Sequence, residues 1–342
     1  MTDVAPTSTT TNASAPQPPR SIHRTADGRV THDLAPHALR EALSDRESVL
    51  WVDVDVSNRH QHAVLEKVFH FHPLAIEDTL NPNSRVKYEE YDDFLFVIAR
   101  GVRLNSRTSD PYDIDTLNLY FFLGPNFLVT AHGPGADAVD AVIGRVTENP
   151  DLLARGPARV MHSILDVAVD AFFPILDSLD EFLDDLEERV FASFDQAALR
   201  DIFSVKRLVL ALRRHLAPQR EVLNQLTNRP SALLPSAVQV YFRDVYDHVL
   251  RINDSLDTYR ELLSSTLDSY LSQVSNRLSQ SSKGLTVVAT VTLPFVIMSG
   301  MWGMNFDHIP LSHQGHGFAL LVALQVAIAL VLVVLLRWRR LL

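Results

Sequence analysis

Two runs near the C-terminal end of the chain decide what the rest of it must be. From Gly284 to Phe306 (GLTVVATVTLPFVIMSGMWGMNF) and from Gly317 to Leu336 (GFALLVALQVAIALVLVVLL) no side chain is charged. An α-helix needs roughly 20 apolar residues to cross the hydrocarbon core of a bilayer, and each run supplies them. The second run is almost wholly aliphatic. The first holds three threonines and a proline, and taken alone it would also suit a buried core helix. The flanking charges favour two spans. Lys283 precedes the first, Arg337, Arg339 and Arg340 follow the second, and the connection 307–316 contains neither Lys nor Arg. The positive-inside rule then puts both termini in the cytoplasm, the short loop outside, and the chain in the cytoplasmic (inner) cell membrane as a multi-pass protein.

The 283 residues before the first span therefore form a cytoplasmic assembly. Across the chain 31 basic side chains face 41 acidic ones, a net charge of −10, which argues against a nucleic-acid partner. With no cysteine, disulfides and thiolate metal sites are excluded. Residues Met1 to Arg20 are mostly Thr, Ser, Ala and Pro, without the apolar stretch of a secretory signal, and read as disordered. We take 1–44 as this segment and its lead-in.

Residues 45–157 read as an α/β domain. Val49 to Val56 (VLWVDVDV) alternates with period two, and Phe94 to Leu104 and Leu117 to Phe122 are further strands. Phe127 to Ala131 follows a Gly124-Pro125-Asn126 turn, as the second arm of a hairpin. Arg59 to Phe71 and Pro73 to Leu80 read as intervening helices. Residues 158–234 read as a helical pair, with apolar positions at helical spacing from Ala158 to Val190 and from Gln196 to Leu226. Asp166 to Glu188 carries nine acidic side chains and no basic one. Such a run suits a solvated face, an electrostatic reservoir for hydrated cations, or pairing with the basic helix that follows (Lys206, Arg207, Arg213, Arg214, Arg220).

Residues 235–306 read as a stalk helix continuing into the first span. Between Pro235 and Pro294 apolar residues recur at Val238, Tyr241, Val245, Val249, Ile252, Leu256, Tyr259, Leu263, Leu267, Tyr270, Val274 and Leu278. At about 1.5 Å per residue this helix would run roughly 85 Å before the second proline. A continuous apolar stripe of that length must bundle, and one chain offers too few helices, so self-association follows. The external loop is 307–316, the second span 317–336 and a basic cytoplasmic tail 337–342. The fold class is α+β: a cytoplasmic α/β domain followed by long helices and two C-terminal transmembrane helices.

Two spans cannot enclose a water-filled path alone, so a pore requires several copies around an axis. The first span is the better lining. One face of it, extended toward the cytoplasm, presents Ser279, Ser282, Leu285, Ala289, Leu293, Val296, Gly300 and Gly303. Pro294 has no N–H to give, which frees the carbonyl of Thr290; this fits an aqueous cavity and a packing kink alike. Leu285 and Leu293 suit constrictions that gate by excluding water, or simple packing between helices.

At the outer end of this span stands Met301-Trp302-Gly303-Met304-Asn305-Phe306. Between two C-terminal spans it resembles the signature of CorA-type magnesium transporters, and the resemblance extends over about residues 45–342. His72-Pro73-Leu74-Ala75-Ile76-Glu77-Asp78, Val86-Lys87-Tyr88-Glu89 and Tyr241-Phe242-Arg243-Asp244-Val245-Tyr246-Asp247-His248 also look like that family. The resemblance implies a homopentamer, a selectivity filter at Gly303, Met304 and Asn305, and regulation by intracellular metal with Asp244 at the regulatory site and Asp247 beside it. Mg2+ is then the transported and regulatory ion, with no cofactor. The chain departs from the pattern at Trp302, where Tyr is common, and in a loop with His308, His313 and His316 beside the single acid Asp307.

Magnesium gives up its water reluctantly, and a ring of Asn305 carboxamides can accept hydrogen bonds from a hydrated ion without stripping it. No phosphate-binding loop is present to couple ATP, and none is required. Two charges crossing 100 mV are worth about 4.6 kcal/mol, enough for a concentration ratio on the order of a thousand. Zinc, cobalt or nickel transport on the same scaffold is the nearest rival, favoured by the loop histidines. A non-conducting, metal-sensing membrane scaffold is a third reading. No nucleophile elbow, metal-hydrolase spacing or nucleotide loop points to an enzyme, and no catalytic residue is assigned.

Overall fold

The computed structural model describes residues 18–104, 114–192, 195–304 and 314–339. Its strands are β1 (Arg20–Arg24), β2 (Val30–His32), β3 (Val49–Asp55), β4 (Lys87–Glu90), β5 (Leu95–Leu104), β6 (Ile114–Leu123) and β7 (Phe127–His132). They form one sheet in the order β2-β1-β3-β7-β6-β5-β4, antiparallel throughout except for the parallel pair of β3 and β7. The helices α1 (Pro36–Ser44), α2 (Arg59–Lys67), α3 (Pro73–Leu80) and α4 (Asp137–Glu148) and a short 3-10 helix, Pro150–Arg155, complete this part.

Alternation along β3 explains the layering. Leu50, Val52 and Val54 point into a core with Leu39 of α1, Leu65 of α2, Ala75 of α3, and Phe96, Ile98 and Phe122 of β5 and β6. Trp51 and Asp53 point to the opposite face. There the Trp51 indole donates to Thr130 Oγ1 at 3.1 Å, and the buried Asp53 carboxylate lies 3.1 Å from His132 Nε2. Asp53 also receives Thr130 Oγ1 at 2.6 Å and the Arg20 guanidinium of β1. Burial pushes this carboxyl up, but His132, Thr130 and Arg20 outweigh it and hold it below the usual range.

Several expectations shift. The lead-in before residue 45 is folded from Arg20 onward, because β1 and β2 edge the sheet and α1 covers it; residues 1–17 lie outside the described ones. The helix from Arg59 ends at Lys67 rather than Phe71, since His70 takes a left-handed φ of 53°. The 158–234 region holds three helices instead of a pair: α5 (Pro157–Asp170), α6 (Phe173–Ala192) and α7 (Gln196–Asn228). Phe172 separates the first two, its carbonyl accepting from the N–H groups of Ile175 (3.1 Å) and Leu176 (3.0 Å). Pro174 falls in the first turn of α6, where a missing N–H costs no helical bond.

Packing divides the chain into two compact units, residues up to Glu187 with Arg200–Ser264, and Glu188–Leu199 with Ser265–Leu342. The helix α8 (Ser236–Trp302) contributes to both, and α9 (Gly317–Trp338) belongs to the second. In the first unit α8 buries Phe242, Val245, Val249, Ile252, Leu256, Tyr259 and Leu263, and in the second Thr266 and Tyr270. These steps alternate three and four, the repeat of a coiled-coil seam, which drifts from the 3.6-residue stripe expected. Tyr241 and Leu278 of that stripe are accordingly exposed.

Candidate metal centre and lining helix

The C-terminal end of α5 and the neighbouring stretch of α8 bring together three side chains that a metal ion can use. Asp166 and Asp170, one helical turn apart on α5, and His248 on α8 place their ligand atoms within 4.8 Å of one another. His248 Nδ1 lies 3.0 Å from Asp170 Oδ1, and its ring stands edge-on to Phe173 with centroids 5.4 Å apart. The Asp166 carboxyl is raised by burial first, then by the charges of Asp170 and Asp244, against the opposing influence of His248. The repulsion that the exposed Asp170 and Asp244 exert on the half-buried Asp166 is relieved by a proton or by a cation. Two carboxylates suit Mg2+, and the imidazole adds affinity for zinc or cobalt.

Of the regulatory residues expected, Asp244 is near enough to act on Asp166, while both Asp244 and Asp247 are exposed and stand outside the triad. Sequence reasoning missed Asp166, Asp170 and His248. The available signal was the pair of i, i+4 spacings, Asp166 to Asp170 and Asp244 to His248, the first hidden within the acidic run. One turn before Asp166, His162 is buried edge-on to the rings of Tyr241 and Phe242. Beside it the Arg159 guanidinium lies 3.4 Å from the Tyr241 ring centroid.

Farther along α6 the acidic run meets α8. The Tyr259 hydroxyl donates to the Leu176 carbonyl at 3.2 Å. Burial, together with Asp180, Asp177 and Asp184, pushes this phenol up to about 12. Arg213 of the basic α7 forms an ion pair with Asp257 of α8.

One face of the last part of α8 is open among the described residues, while Val287, Val291, Phe295 and Met298 are half-buried. Ser279, Ser282, Leu285, Ala289, Leu293 and Val296 are all exposed, Leu285 to 74%, and Thr290 is half-buried. Pro294 lies inside the continuous helix. Thr286 and Thr292 donate their hydroxyls to the carbonyls of Ser282 and Val288, both at 2.8 Å, so neither needs an outside partner. After Trp302 the helix closes with the Gly303 N–H donating to the Ser299 carbonyl at 3.0 Å, and Gly303 and Met304 are exposed. Asn305, Asp307, His308 and His313 lie outside the described residues. α8 and α9 are both long and apolar enough to cross a bilayer.

Comparison with known proteins bears on this arrangement. The family described as CorA-like Mg2+ transporter protein matches residues 46–339. The protein YfjQ of Bacillus subtilis is 30% identical over 280 residues, 82% of this chain and 86% of its own. The cobalt/magnesium transport protein CorA of Thermotoga maritima is 29% identical over 300 residues, 86% of this chain and 85% of its own. Among solved structures, the CorA magnesium transporter from Methanocaldococcus jannaschii matches with a TM-score of 0.79 at 24% identity, covering 93% of this chain and 97% of that one, a likeness of fold.

Proposed function

The chain belongs to the CorA-like Mg2+ transporter family, a family of divalent-cation transporters with two apolar C-terminal helices, and from that premise we propose a magnesium channel. In this reading a homopentamer carries Mg2+ inward, driven by the membrane potential and closed by cytoplasmic metal. Both termini face the cytoplasm of the inner membrane, as the charges around the spans suggest.

The observation that carries the proposal is the uncovered face of α8 leading to Gly303-Met304, small or apolar along its length and exposed among the described residues. Arranged around an axis, copies of that face enclose a narrow path. Leu285 and Leu293 form dry constrictions when it closes. Gly303, Met304 and Asn305 meet the hydrated ion at the outer end, where carboxamides hold water-clad Mg2+ weakly enough for it to leave. On the cytoplasmic side Asp166, Asp170 and His248, with Asp244 and Asp247 beside them, sense the internal ion. Bound metal offsets the mutual repulsion of the acids and favours the closed form.

A second reading, zinc or cobalt as cargo, is favoured by the imidazole of His248 in the triad. Flux of magnesium, cobalt and zinc into proteoliposomes at one fixed, inside-negative potential separates the two. Magnesium flux that collapses with the potential is expected. Zinc flux exceeding magnesium would favour the second reading, and absence of flux for every ion would leave only the scaffold.

A further inference from the structure

The outer helix α9 holds a single polar side chain between Gly317 and Arg337, and that is Gln325. It is also one of three buried residues of α9, with Gly317 and Leu336, and only 9% exposed. Its amide lies about 12 Å along the helix from Gly317, well inside the apolar stretch. An unpaired carboxamide at such a depth is heavily disfavoured, because hydrocarbon offers nothing to replace water. The structure gives it a partner on the other span: Gln325 Nε2 donates to Ser299 Oγ at 3.1 Å.

Ser299 is well placed to transmit that bond. Its carbonyl accepts the Gly303 N–H at 3.0 Å, closing the last turn of α8 immediately before Met304. One residue therefore takes a side-chain bond from α9 and a backbone bond from the first residue of the Gly-Met-Asn sequence. A leucine at 325 would fill the same buried position without needing a partner, so the amide has a purpose other than burial.

We propose that Gln325 and Ser299 form an interhelical clasp that positions the filter turn, making Gln325 a positioning residue for ion selection. The proposal rests on the reading of Gly303-Met304-Asn305 as the filter. The clasp fixes the rotation and height of the end of α8, through Gly303 and Met304, against the outer helix. Neither residue touches the ion.

The test uses the full chain in proteoliposomes and measures half-saturating magnesium and the magnesium-to-cobalt flux ratio for Gln325→Leu, Ser299→Ala, Ser299→Thr and the double variant Gln325→Leu/Ser299→Ala. Gln325→Leu and Ser299→Ala should each shift half-saturation and flux ratio by about threefold, the size of one interhelical hydrogen bond in a bilayer. The double variant should be no worse than either single change, and Ser299→Thr, which keeps the hydroxyl, should stay near wild type. A helix-packing role alone would lower the yield of assembled protein and scale the flux of both ions equally. Multiplying effects in the double variant, or a Ser299→Ala protein with wild-type half-saturation and flux ratio, would overturn the clasp. Should Gln325→Leu fail to assemble, the two Ser299 variants decide alone. Asn305→Ala runs alongside: if it conducts like wild type the filter reading fails, whereas wild-type behaviour of the clasp variants beside a dead Asn305→Ala removes the clasp only.

Discussion

Lowering the pH from 7 toward 4 puts a proton on His162, and the fold resists it there. The ring is 8% exposed, flanked by Tyr241 and Phe242, and neither nitrogen reaches hydrogen-bond geometry with a partner among the described residues. Burial and then the adjacent Arg159 guanidinium lower its pKa to about 4, while the Tyr241 carbonyl and the Asp244 carboxylate oppose them weakly. In the unfolded chain the imidazole titrates near its ordinary value of 6.5. Above that pH both states are neutral and the contribution to stability is complete. Below it the unfolded chain takes up the proton first, so stability falls until the folded state also protonates near 4. The gap between the two values corresponds to a loss on the order of 3 kcal/mol across that window. Urea unfolding of the full chain in detergent reads this through Trp51, which is 1% exposed in the sheet, once Trp302 and Trp338 are changed to Phe. His162→Phe removes the titrating group while keeping an aromatic ring. Wild type should lose about 3 kcal/mol more than the variant between pH 6.5 and 4, whereas contributions from Asp53 and other carboxylates cancel in the difference. Parallel curves for the two proteins would refute the argument.

Two further outcomes follow from the proposed sensor and gate. Asp170→Asn and His248→Ala should each raise the magnesium concentration that protects the cytoplasmic part from limited proteolysis, roughly tenfold for loss of one ligand; Asp244→Asn/Asp247→Asn should do the same more weakly, and an unchanged protection curve for all of them would remove the sensor. Leu293→Asn and Leu285→Asn should hydrate the constrictions and raise basal flux at high internal magnesium, and normal assembly with no faster conduction would remove the gate.

Much of the sheet was legible because its central strands combine burial with period-two alternation. β3 and β5 fall within a residue of the expected spans. α3 begins and ends where expected, since His72 accepts the Leu74 N–H at its start and Pro73 occupies its first turn. The edges were not legible. β1 (RSIHR), β2 (VTH) and β4 (KYEE) are short and polar, so they look like solvated surface, although β2 and β4 each pair with the strand beside them in the chain. The same limitation hid the candidate metal triad. Asp170 and His248 are 78 residues apart, and a carboxylate at the head of an acidic run looks like solvated surface until α8 arrives beside it. The long apolar end of α8, by contrast, needed only helical spacing and the absence of charge.

Magnesium flux through Asn305→Ala decides whether the Gly303-Met304-Asn305 sequence selects the ion. Wild-type and variant chains are reconstituted at matched density, with oligomer content checked, and flux is followed at a fixed inside-negative potential. Potential-driven flux is expected in the wild type and flux at the empty-vesicle level in the variant, with assembly unaltered. Near-wild-type flux in an assembled Asn305→Ala protein would contradict it.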